Sequence, residues 1–140
     1  MRMKNMKIKV LISILIILSL SSCSEINTTN PTKTYKYWSG TNAPSDLELL
    51  NGQYWQSSHW TREYIMYLKF KPSDKWWNEF IQQNQISIDK GDWIMPGDVP
   101  TWFNPSENSI RFGGNSNFDQ GSRYFKDTLT GVCYIYEIQL

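Results

Sequence analysis

Few residues in this 140-residue chain have types and spacing that could support chemistry. His59 is its only histidine, so a zinc site would have to combine it with carboxylates. No paired-histidine helix motif and no nucleophile-elbow motif accompanies it. Beside Ser58 and Trp60, His59 reads as a half-exposed strand or loop residue. Two cysteines are present, Cys23 and Cys133. Cys133 lies between Val132 and Tyr134 in an apolar run and reads as a small core residue, because a reactive thiol needs a cationic or basic neighbour. Asp89, Asp92 and Asp98 form a loose acidic group on a turn-rich stretch, with a solvated turn as the simpler reading. Residues 115–121 carry oxygen side chains at alternate positions, as a calcium loop does. The glycine comes one place late, however, and Lys126 stands where a bidentate glutamate is needed. No glycine loop suited to phosphate is found, since Gly113-Gly114 lacks the following lysine and helix. The expectation is therefore no metal, no cofactor and no catalytic residue. Any pair of carboxylates can still meet in space, so a hydrolase remains the least favoured alternative.

Aromatic residues are the remaining resource. Trp93, Trp102 and Phe103 lie between Asp89 and Ser109, a stretch punctuated by Gly91, Pro96, Gly97, Pro100 and Pro105. Long irregular segments in small domains are often functional, and large rings serve as interface anchors or sugar platforms. These three residues are the candidate binding surface. The competing expectation is that the rings fold inward and cap the core. A flat exposed patch would fit a protein partner, whereas a groove with one or two rings beside Asn or Asp would fit sugar.

The elements that must hold this loop read as an α+β domain, a small, mostly antiparallel sheet with one main helix packed on it. Tyr64, Met66, Leu68 and Phe70 alternate with Glu63, Ile65, Tyr67 and Lys69, the period of a strand with one well-buried face. Tyr54-Trp55 and His59-Trp60 suggest a preceding strand, and Asn51-Gly52 reads as a turn. Ser73 is a good N-cap and Asp74 suits the first turn of a helix, after which Trp76, Trp77, Phe80 and Ile81 form an apolar stripe. Short strands are expected near Ser109 to Phe112 and Ser122 to Lys126, with a hairpin connection over Asp127 to Gly131. Val132 to Leu140 is the last strand. Its apolar residues on both faces mark it as central. No internal repeat is visible.

The start of the chain has a different character. Met1 to Lys9 is basic, and Val10 to Leu20 is apolar apart from Ser13 and Ser19, which is short for a membrane span. Leu20-Ser21-Ser22-Cys23 follows. This arrangement resembles the bacterial lipoprotein signal, whose lipobox ends in the cysteine that is lipidated and becomes the new N-terminus. The resemblance implies removal of residues 1–22, lipidation of Cys23 and a membrane-tethered protein of the cell envelope. In the enterobacterial sorting rule, Ser24 after the cysteine implies the outer membrane. Two or three acyl chains would anchor the protein stably, where one alone would not. An ordinary secretory signal and an uncleaved anchor are the alternatives.

Removing 22 of the 140 residues leaves 118, enough for one domain. Four of the 14 basic residues (Arg2, Lys4, Lys7 and Lys9) precede Cys23, leaving 10 against 13 acids, a net −3. That balance excludes nucleic acid as the expected partner, because phosphate binding needs a basic face. All 7 Trp, 8 Tyr and 6 Phe follow residue 22, which argues for a folded domain. With Cys23 lipidated, Cys133 has no disulfide partner. Residues 23–34, rich in Ser, Thr and Asn, read as the lipidated N-terminus and a flexible tether, with one globular domain over 35–140. The expected function is a non-enzymatic, membrane-tethered binding module for an envelope protein, in the manner of an immunity or inhibitor lipoprotein. The alternative is a cell-wall or glycan binder.

Overall fold

The computed structural model describes residues 24–114 and 120–140. Within them lie seven strands: β1 (Ile26–Thr28), β2 (Leu47–Gln56), β3 (Tyr64–Pro72), β4 (Ile86–Ile88), β5 (Ser109–Gly114), β6 (Arg123–Asp127) and β7 (Cys133–Gln139). They form a single sheet in the order β1-β2-β3-β7-β6-β5-β4, with every neighbouring pair antiparallel. Two helices accompany it, α1 (Pro31–Ser39) and α2 (Asp74–Gln83). The fold is thus broadly α+β, but largely sheet, and a second helix joins the one that was expected. Among the described residues no helix is long and apolar enough to cross a membrane.

The central elements follow from their side-chain alternation. Tyr64, Met66, Leu68 and Phe70 of β3 are buried on the helix side together with Cys133 and Ile135 of β7. Tyr67 of β3 and Tyr134 and Tyr136 of β7 are buried on the opposite side. β7 lies in the middle of the sheet, as its two apolar faces require. Helix α2 begins at Ser73, whose Oγ accepts the Trp76 N–H at 3.1 Å. Trp77 is 3% exposed on its inner side.

The expected tether is replaced by regular structure. Ile26 to Thr28 pair with Gln56 to Tyr54, and α1 follows at once. Its signals are local. Asn30 Oδ1 accepts the Lys33 N–H at 2.9 Å, Pro31 occupies the first turn, and Gly40 at φ 76° donates to the Lys36 carbonyl at 2.9 Å. Among the described residues regular structure therefore begins at Ile26, ahead of the expected start at Tyr35. Asn51-Gly52 is likewise no turn, but part of β2 beside a register shift between Leu49 and Asn51. Gly52 lets α1 approach the strand closely. A Cβ there would stand 2.7 Å from Pro31 Cα and 2.8 Å from Thr34 Cβ.

The long segment between β4 and β5 has no strand of its own, and it roofs the sheet on the side away from the helices. Trp93, Met95, Val99 and Trp102 pack there against Tyr67, Phe103, Phe125, Tyr134 and Tyr136. The domain therefore has three layers, with helices on one face and an aromatic loop on the other.

Candidate functional site

The structure draws the expected loop platform inward. Phe103 is 3% exposed, its ring 5.2 Å from that of Tyr67 and 5.4 Å from that of Tyr134. Trp102 is half-buried against Phe103 at 6.1 Å. Trp93 is also half-buried, with Nε1 donating to the Gly121 carbonyl at 3.0 Å and its ring 5.7 Å from Phe125. The three do not form an exposed aromatic surface. They cover an apolar sheet face that would otherwise meet water, and burying that area outweighs display of the rings.

The other sequence candidates are dispersed. Cys23 and residues 115–119 of the calcium-like stretch lie outside the described residues. His59 is exposed on the β2–β3 turn, with Nδ1 3.1 Å from the Glu63 carboxylate. Cys133 is buried, and burial pushes its thiol up to about 12, which suits a core residue. Asp89 pairs with Arg123 at 2.7 Å and Arg111 at 3.0 Å. The Gly91 N–H is the leading influence lowering its pKa, followed among the favourable ones by Arg123 and Arg111. Asp98 instead accepts the Tyr67 hydroxyl at 3.2 Å, and Asp92 is exposed. Among the described residues no group of three or more metal-ligating side chains converges.

A cleft on the helix side does converge. Helix α1 brings Tyr35 and Trp38 to it from adjacent turns, and α2 brings Trp76, Glu79, Phe80 and Gln83 from one face. Its floor is Tyr64 of β3, Tyr124 of β6 and Glu137 of β7, and its volume is about 500 Å³. Trp76 stacks on Phe80 with centroids 5.2 Å apart, Trp38 meets Phe80 edge-on at 5.9 Å, and Phe80 meets Tyr124 at 5.6 Å. These contacts fix the walls before any ligand enters.

Glu137 is the unusual group. Strand alternation puts it in phase with Cys133 and Ile135, so the pattern that buries those two also sends this carboxylate under the helices. One oxygen accepts from Trp38 Nε1, and the other lies 3.4 Å from the Tyr124 hydroxyl. Burial is the main influence and raises its pKa, while hydrogen bonds from Trp38, Tyr124 and Tyr64 act in the opposite direction. Burial, with Glu137 next in importance, also raises the pKa of the Tyr64 hydroxyl. Among the described residues no Lys or Arg lines the cleft, while Glu79 and Glu137 do, and Arg62 stands beside it, 5.3 Å from the Tyr64 ring. Such a site offers rings, amides and the Glu79 carboxylate to a polar ligand.

The sequence does carry one signal for this site, a charged residue in the inward phase of a central strand. Read as one face of a simple alternation, Glu137 is overlooked. Trp38 is missed for another reason, because α1 falls within and just after the segment read as a tether. A smaller cavity of about 330 Å³ on the opposite face is lined by Asn27, Gln53, Trp55, Ile65, Tyr67 and Asp98. No protein-family model matches the chain, and no curated protein or solved structure matches it either.

Proposed function

We propose that this chain is a bacterial envelope lipoprotein, anchored through Cys23 in the outer membrane, whose folded domain is a non-enzymatic binding module. The cleft around Glu137 supports the binding part of this reading, with a glycan of the cell wall or surface as its ligand, while the anchor rests on the Leu20-Ser21-Ser22-Cys23 sequence. Aromatic walls stack on the apolar faces of sugar rings. The rim residues Glu79, Gln83 and Asn84 supply hydrogen-bond partners to hydroxyls. A volume of about 500 Å³ is within the range of small-molecule sites. Glu137 suits a positioning role, because Trp38 donates to one of its oxygens and the Tyr124 hydroxyl stands 3.4 Å from the other. A carboxylate so held positions the walls more readily than it transfers a proton.

A second reading has its own support. Ile94 on the roof loop is 89% exposed and Ile88 at the edge strand 56%, and both could meet a protein partner such as a toxin neutralised at the membrane.

Titration of the full chain in mild detergent with chito-oligosaccharides and soluble cell-wall fragments tests the glycan reading. Binding should change tryptophan emission, and Trp76→Ala should weaken it by tenfold or more, corresponding to about 1.4 kcal/mol. Unchanged emission together with no retention on insoluble cell wall would overturn it.

A further inference from the structure

The place where the chain enters the sheet bears on how the domain meets a membrane. β1 runs antiparallel to β2 with Ile26 opposite Gln56. The chain therefore enters β1 from the end of the sheet at which β2 turns into β3. That turn, 57–63, is braced internally. The Ser57 N–H donates to the Glu63 carbonyl at 3.0 Å, the Glu63 N–H to the Thr61 carbonyl at 2.9 Å, and Thr61 Oγ1 to the Glu63 carboxylate at 3.1 Å. At its tip Trp60 is fully exposed, at 103%. The same end carries Leu140, 63% exposed, because Gln139 pairs with Tyr64.

Distance links these features to the anchor. Two residues, Ser24 and Glu25, separate Cys23 from Ile26, a reach of at most about 11 Å over the three steps. Trp55 Nε1 also donates to Glu25 at 2.6 Å, which ties the entering chain to β2. A lipid on Cys23 would thus hold this end of the sheet within one short reach of the bilayer. An indole on a braced turn is the side chain best suited to the lipid–water interface, with its ring among the headgroups and its N–H hydrated.

We propose that the β2–β3 turn is a membrane-docking tip and that Trp60 seats in the phospholipid interface, fixing the domain's orientation. The occupant is the bilayer in which the protein is itself anchored. The inference rests on the lipidation of Cys23, and its function is to hold the domain directly on the membrane without a long spacer.

The test uses the acylated full chain reconstituted in phosphatidylethanolamine vesicles containing phosphatidylcholine brominated near the headgroup end of its acyl chains. Trp60 is one of 7 tryptophans, so the brominated lipid should remove up to about one seventh of the emission. Trp60→Phe should abolish that quenching while vesicle association and melting stay unchanged. Equal quenching in wild type and Trp60→Phe, or none in either, with the acyl label present, overturns the docking tip alone. Absence of an acyl label at Cys23, read by fatty-acid incorporation against Cys23→Ser, overturns the anchor and the docking tip together.

Discussion

Replacing Trp77 by alanine removes the side chain that couples α2 to the sheet. The indole is 3% exposed, with ring centroids 5.7 Å from Phe112, 5.9 Å from Phe80 and 6.5 Å from Phe70. A buried aromatic of this kind removes roughly 150–250 Å² from water. At about 25 cal/mol per Å² this corresponds to about 4–6 kcal/mol for the whole side chain. Alanine keeps the Cβ and the surroundings relax only in part, so the expected loss is about 3–5 kcal/mol. Set against a total stability of about 5–15 kcal/mol, that leaves a domain near its threshold. A fall in Tm on the order of 10–20 °C should follow. Urea denaturation of the full chain in mild detergent measures the loss, with Trp76→Ala as the comparison. Trp76 is only partly buried and lines the cleft, so its truncation should cost less than that of Trp77. A loss below about 1 kcal/mol for Trp77→Ala, or a larger loss at Trp76, would refute this account of helix packing.

Two further outcomes follow from the other contacts of the helix layer. Gly52→Ala should cost about 1–3 kcal/mol through the forced separation of α1 from β2, and an unchanged denaturation midpoint would mean that the close approach is absent. Glu137→Gln should change how stability depends on pH. The folded-state pKa of Glu137 is raised, so its stabilising share is complete below the unfolded carboxylate range and is lost as pH rises through the folded value. The Gln variant lacks that loss and should gain stability relative to wild type over that interval. A difference between the two that stays flat across the acid-to-neutral range would contradict the assignment.

Local chemistry determined a good part of this protein. The alternation in β3 and β7, the Ser73 cap and the Trp77 stripe depend on near neighbours and on period, so they were legible directly. The central place of β7 was legible for the same reason, because only a covered strand carries apolar residues on both faces. The signals for α1 were also present, with Asn30 and Pro31 at its start and Gly40 at its end. A polar composition over 24–34 outweighed them, since it reads as linker when no packing partner is in view.

Tertiary structure decided the rest. Whether Trp93, Trp102 and Phe103 face water depends on whether another layer covers the second sheet face, and no local pattern records that. Gly52 reads as a turn in isolation, and only the approach of Pro31 and Thr34 gives it its actual role. The cleft is the clearest case. Trp38 and Glu137 lie 99 positions apart, and their meeting depends on α1 packing beside β3 and on β7 pairing with β3. Sequence sets the phase of a residue on its own element, but the partner across the gap is fixed only when the elements pack.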